Sequence, residues 1–321
     1  MTTCQLHLFI FSFRGMSKFL KIFGVTTMSF VLLLALFYSS ILFKKSNCEV
    51  RWSHLFIPTH AISTSTSLNY KLTHFLSEDR ANVELLVLGS SMAINNVDAG
   101  LLEQKTSLQS YNLSSWGQRM NENYFLLQEL MPKMPQLKQV LIPFNVNDFG
   151  LGDKFSKKEL KAYASGDLKG AAAFDYNPND YIKEVENAKY LEVRNHYRTL
   201  QFDRWGSALL HREEFVISEK RWNELPDYSA QDLESFKCYL DSVSVLAQSY
   251  NVKLFVALLP IRVDLRSSEA LDPVLEICQG VHFIDLSNYP FSNQDYADCT
   301  HLFVDAGIEL SDLLAKRILE K

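Results

Sequence analysis

Cysteine is scarce in this 321-residue chain: five residues, an odd number, at positions 4, 48, 238, 278 and 299. That excludes a disulfide-stapled secreted scaffold, although one bridge among Cys238, Cys278 and Cys299 can form in an oxidising compartment. Glycine and proline are also few, 12 and 9, which excludes collagen-like and proline-rich architectures. Basic charge is not in excess. With 32 Lys and Arg against 37 Asp and Glu, the net charge is -5, the wrong sign for gripping a phosphate backbone, so nucleic acid drops out as a partner. The chain has no zinc-ligand spacing, phosphate-cradling glycine loop or haem motif, so no metal and no cofactor are expected. What is there, 47% hydrophobic and 21% charged residues, is the composition of a globular protein.

The apolar residues are unevenly spread. Residues 22–43 read IFGVTTMSFVLLLALFYSSILF, with no charge among 22 positions. At 1.5 Å per residue such a helix reaches about 33 Å, enough for a hydrocarbon core of about 30 Å. A cleaved signal peptide normally has a shorter apolar core and a small-residue cleavage site; here Lys44-Lys45 follows at once, which predicts an uncleaved transmembrane anchor. Basic residues flank it evenly (Arg14, Lys18, Lys21 against Lys44, Lys45, Arg51), so charge does not orient the span. The usual arrangement puts residues 1–21 in the cytoplasm and the bulk outside, periplasmic or extracellular. Met16 is a second candidate start. Beyond residue 50 the chain carries 27 basic and 36 acidic residues, net -9.

Residues 44–80, Ser/Thr-rich at 59–68, read as a stalk. From 81 to 321 short apolar runs alternate with helical patterns. The runs at 83–88, 110–113, 139–144, 253–259 and 282–286 suit strands buried on both faces of a parallel sheet. Met120, Tyr124, Leu127 and Leu130 share one helical face; Ser229 and Asp232 start another helix, and Asp305 is positioned to cap the last one, which carries Ile308, Leu313, Leu314 and Ile318. The alternation predicts an α/β fold, a three-layer α/β/α sandwich on a parallel five-stranded sheet. The third and fourth runs lie about 106 residues apart, too far for one crossover, so residues 150–228 are expected to be an inserted subdomain. Within it, Asp175, Asn177, Asn179 and Glu186 mimic a calcium loop, but Asp180 and Pro178 spoil it and a helix-capping turn is the better reading.

In open α/β sheets, sites form at the carboxyl ends of the strands. The residues found there are Gly89-Ser90-Ser91, Asn112 to Gly117, Asn145-Val146-Asn147-Asp148, and Asp298-Cys299-Thr300-His301 before the last helix. A hydroxyl, a glycine N–H, an amide and a histidine with an Asp three residues ahead are an inventory for acyl transfer. On the residues alone, Ser91 can equally be a plain helix cap and Asn147-Asp148 a plain turn.

In order and placement these blocks resemble the SGNH/GDSL hydrolase superfamily, over about residues 83–148 and 253–320. Gly89-Ser90-Ser91 stands for the Gly-Asp-Ser block, Asn112…Gly117 for the second, Asn147-Asp148 for the third, and Asp298…His301-Leu302 with Gly307 for the last. Two positions depart: Ser90 for Asp, as in membrane-anchored members similar to the D-alanyl-lipoteichoic acid transfer protein and polysaccharide O-acetylation proteins, and Asn145 for Gly, which is expected to narrow the oxyanion loop. The resemblance implies Ser91 as nucleophile, His301 as base, Asp298 as its orienting acid, and an oxyanion hole of Ser91, Gly117 and Asn147. It further implies a serine esterase or O-acyltransferase acting on an acyl ester or glycan of the cell envelope, alongside a membrane-bound polysaccharide-modification partner. A non-catalytic scaffold with a degenerate site, or a lipid-directed esterase, are the other readings.

Overall fold

The computed structural model describes residues 24–33, 68, 71, 72, 75, 82–149, 157–165, 203–212, 228–266 and 268–320. The chain divides into two units, Met1–Glu49 and Val50–Lys321. In the first, residues 24–33 are helical, with Val25, Met28, Phe30 and Leu33 all more than half exposed. Among the described residues no helix is long and apolar enough to cross a membrane, so the span expected over 22–43 is described only in this ten-residue piece.

The second unit is an α/β fold. Its strands are β1 (Leu85–Val87), β2 (Ser110–Asn112), β3 (Gln139–Phe144), β4 (Lys253–Leu258) and β5 (His282–Asp285), all parallel, in the order β2-β1-β3-β4-β5. The helices are α1 (Ser91–Asn96), α2 (Ala99–Thr106), α3 (Met120–Leu130), α4 (Lys157–Ser165), α5 (Ala230–Ser249), α6 (Ser268–Ile277) and α7 (Val304–Glu320). Alternation along each strand divides the core. Leu85, Val87, Leu141, Phe255 and Ala257 pack with α1, α2 and α7. Leu86, Val140, Ile142, Val256 and Leu258 pack with α3, α5 and α6 on the other face. Each fully buried Leu, Val or Ile contributes about 1.5–3 kcal/mol of burial, so both faces must be covered for so apolar a sheet to be stable.

Two local features end the strands where the site begins. Pro143 lies inside the central β3 and pairs with Ala257 of β4. It has no N–H to offer the other side, and β1 runs out before reaching it, its last partner being Leu141. Gly89 then turns the chain at φ +147°; a Cβ there would meet the Pro143 carbonyl at 2.9 Å and the Ala93 Cβ at 3.1 Å, so only glycine fits.

Several expectations are corrected. Asp305 does not cap α7: the helix starts at Val304, and Asp305 sits in its first turn, where its charge faces the helix dipole. The buried stripe of α7 runs through Leu310, Leu314 and Ile318, leaving Ile308 43% exposed. Ser229 does start α5, exchanging capping hydrogen bonds with Asp232. Within the expected stalk, Leu68, Lys71, Leu72 and Phe75 are buried in the core of the second unit. Cys238, Cys278 and Cys299 are all free thiols.

Most of the expected insertion, including the stretch with Asp175 and Glu186, lies outside the described residues. Residues 203–212 are hydrogen-bonded to the sheet edge and to α1. Trp205 gives its carbonyl to the Asn112 N–H at 2.7 Å, Ala208 donates its N–H to the Ile94 carbonyl at 2.8 Å, and Leu210 bridges to Phe303. This segment therefore runs along the β2 edge and reaches the start of α7.

Candidate active site

The turn after β1 delivers two serines with different jobs. Ser90 caps α1, accepting the Met92 N–H at 3.1 Å. Ser91 is thereby relieved of capping and becomes the first residue of the helix, half-buried. Its Oγ lies 2.8 Å from His301 Nε2. His301 Nδ1 in turn lies 2.8 Å from Asp298 Oδ2. Asp298 is 4% exposed, and its second oxygen accepts the backbone N–H groups of Thr300 (2.9 Å) and His301 (2.8 Å). Burial alone would raise this carboxyl; the neighbouring His301 and these hydrogen bonds outweigh it and hold it at about 2. An ionised carboxylate only accepts hydrogen bonds. The imidazole proton therefore sits on Nδ1, leaving the Nε2 lone pair facing the Ser91 hydroxyl. Three residues from positions 91, 298 and 301 thus form one hydrogen-bonded line.

The other expected residues are placed as follows. Gly117 ends the loop after β2 at φ +71°. That loop is pinned to α1: Asn112 donates to the carbonyls of Ala93 (2.9 Å) and Val97 (3.3 Å), and Ser115 donates its N–H to the Gly89 carbonyl at 3.0 Å. Among the described residues neither the Ser91 nor the Gly117 N–H has a protein acceptor. Asn147 is in a short 3₁₀ turn, Val146–Asp148, and its amide nitrogen lies 2.5 Å from Thr300 Oγ1. It is joined to the histidine loop, and among the described residues it makes no hydrogen bond to Ser91.

Both departures from the family blocks have a physical reason. Asn145 has φ -154° and ψ 174°, extended backbone open to any residue, and its side chain caps its own turn by accepting the Asn147 N–H at 3.0 Å. Only its oxygen is engaged in this way; its amide nitrogen is buried with no hydrogen-bond partner among the described residues. Asp148 accepts the Asn145 N–H at 2.9 Å, and the Ser90 hydroxyl is among the groups that favour its ionised form. Burial raises the Asp148 carboxyl, and these bonds, with Arg119 and His301, oppose the rise. A hydroxyl at position 90 favours the ionised carboxyl where a second carboxylate would repel it. Ser90→Asp is therefore expected to cost about 3 kcal/mol at pH 8. The loss should shrink at pH 5, where one carboxyl can take up a proton. Thermal melts at both pH values check this; equal melting temperatures for variant and wild type at pH 8 would remove the interaction.

The sequence did not mark three residues that hold the site together. Asn96, at the end of α1, is fully buried; it donates to the Thr300 carbonyl (3.2 Å) and accepts the Leu302 N–H (2.8 Å), gripping the chain on both sides of His301. The helix that presents Ser91 thus also fixes the chain around His301. Arg119 donates to the carbonyls of Asp148 and, at 3.5 Å, Asn147, tying the second block to the third. Lys71, fully buried, donates to the Ser114 carbonyl at 2.6 Å, and burial lowers its ammonium well below its ordinary value. An Asn five residues after Ser91 and a cation just past Gly117 were the available signals; Lys71 offered none.

No protein-family model matches the chain. No curated protein matches it either. Among solved structures, it is similar to one described as a carbohydrate esterase whose active site displays divergent catalytic and non-catalytic binding functions. The TM-score is 0.33 and the identity 12%, covering 75% of this chain and 65% of that one. The chain therefore spans less than two thirds of that structure's length.

Proposed function

We propose that this protein is a serine esterase or O-acyltransferase of SGNH type, held at a membrane by residues 22–43 and acting on an extracytoplasmic acyl ester, an envelope polysaccharide being the substrate class. One observation carries the reading: the unbroken line from Ser91 Oγ through His301 to an ionised Asp298, with both distances at 2.8 Å. In the first half-reaction Ser91 Oγ attacks the ester carbonyl while its proton passes to His301 Nε2. The oxyanion is received by the N–H groups of Ser91 and Gly117, with Asn147 as third donor, each such donor being worth about 10²–10³ in rate. His301 returns the proton to the leaving alcohol, leaving the acyl group on Ser91. In the second half-reaction water, or a sugar hydroxyl, loses a proton to His301 and attacks the acyl carbonyl; the C–O bond to Ser91 then breaks and His301 returns the proton to Ser91 Oγ. Water makes the protein an esterase and a sugar hydroxyl makes it a transferase. The exposed apolar side chains of residues 24–33 support the membrane attachment.

The test is labelling of the full-length protein in detergent with a fluorophosphonate. Wild type should label at one site and Ser91→Ala should not. A folded wild type that fails to label would overturn the catalytic reading in favour of a scaffold with a degenerate site. With a reactive protein, acetyl release from an acetylated glycan with and without a sugar acceptor separates hydrolysis from transfer.

A further inference from the structure

The third oxyanion donor of an acyl-transfer site is useful only when its N–H is aimed, and an asparagine amide turns freely unless something holds it. Around Asn147 the holding group comes from the histidine loop. Thr300 is fully buried, and both of its backbone polar groups are engaged: its N–H donates to Asp298 Oδ1 at 2.9 Å, and its carbonyl accepts from Asn96 at 3.2 Å. The Thr300 hydroxyl therefore stands at a position set by the carboxylate that orients His301. Its Oγ1 accepts one N–H of the Asn147 amide at 2.5 Å. The Cys299 sulfur lies 3.9 Å from the same amide nitrogen, a far weaker neighbour. The Asn147 backbone is fixed separately, its N–H on Asn145 Oδ1 at 3.0 Å and its carbonyl under Arg119. A carboxamide carries two N–H bonds in one plane, so committing one of them to Thr300 fixes the direction of the other.

We infer that Thr300 is a positioning residue: it orients the Asn147 amide and couples the oxyanion side of the site to the Asp298–His301 pair. The inference rests on the acyl-transfer reading and adds to it a residue that acts only through Asn147. Valine matches threonine in shape and removes the acceptor; serine keeps the acceptor and removes a methyl group.

The experiment measures hydrolysis of p-nitrophenyl acetate by the full-length protein in detergent. Thr300→Val should lower kcat about 30-fold, part of the 10²–10³ that one oxyanion donor supplies, with KM within twofold. Thr300→Ser should return kcat to within threefold of wild type. In an Asn147→Ala background, Thr300→Val should have no further effect, because the group it orients is gone. A structural role alone would lower activity equally in both backgrounds and would not be rescued by serine. Unchanged kcat in Thr300→Val, or the same loss with and without Asn147, overturns the inference. If the valine variant does not fold, Thr300→Ala compared in the same two backgrounds decides the question in the same way. Failure of the acyl-transfer reading looks different: wild type itself then neither labels with fluorophosphonate nor turns over.

Discussion

Asp298→Asn is expected to lower turnover of an ester such as p-nitrophenyl acetate about 10⁴-fold while leaving the fold intact. The carboxylate accepts three N–H groups, two from the backbone of Thr300 and His301 and one from the imidazole. An asparagine in the same place can serve the two backbone groups with its oxygen. Its NH₂ then faces Nδ1, which must become an acceptor. The imidazole proton moves to Nε2 and points at Ser91, so the base can no longer receive the serine proton. That wrong tautomer is what costs about 10⁴ in enzymes that use this relay. Activity within tenfold of wild type would remove Asp298 from the relay.

The pH behaviour of the same residue follows from its low folded value. The Asp298 carboxyl is held at about 2, below its unfolded value near 3.9, so its stabilising contribution is complete above pH 4 and is lost as pH falls toward 2. In the asparagine variant that part of the acid-side loss should be missing, which melts between pH 4.5 and 2 will show.

Gly206→Ala is expected to have the largest effect on stability, about 4 kcal/mol or a fall of about 10 °C in melting temperature. Gly206 has φ +81°, and a Cβ would lie 2.3 Å from the Asn112 carbonyl oxygen, 3.1 Å from Lys71 Cε and 3.2 Å from the Tyr111 ring. The first contact is with backbone and cannot be relieved by a rotamer change. Asn112 opens the loop that carries Gly117, so displacing it should also lower activity in whatever fraction stays folded. Gly280 is the control. Its φ is +96°, but nothing lies within 4 Å of an added Cβ, so Gly280→Ala carries only backbone strain, about 1 kcal/mol. Calorimetry or circular-dichroism melts of the two variants separate crowding from strain. A Gly206→Ala melting temperature within 2 °C of wild type would mean that residues 203–212 do not pack on β2.

Much of the fold is local and was legible for that reason. Apolar runs of four to seven residues bounded by Gly89, Asn112 or Asn145 mark strands without knowledge of their neighbours, and the Ser229–Asp232 exchange is a contact over three positions. Boundaries were less legible. β1 spans only Leu85–Val87, its pairing with β3 ending at Leu141, more than fifty positions away in the chain. Which residues of α7 face inward, Leu310, Leu314 and Ile318 but not Ile308, is decided by how the helix lies on α1 and α2.

The sequence by itself determined the α/β class, the five parallel strands, and the strand ends at which Ser91, Gly117, Asn147, Asp298 and His301 stand. Hydrophobic periodicity and strand-end placement need only neighbours in the chain. Tertiary structure alone decided the strand order, the division of labour between Ser90 and Ser91, and the seating of Lys71 and residues 203–212. It also decided the grip of Asn96 and Thr300 on the histidine and asparagine loops. Apart from the local Ser90 cap, those depend on single hydrogen bonds and van der Waals contacts between residues tens to hundreds of positions apart, and such contacts leave no periodic trace in a chain until it has folded.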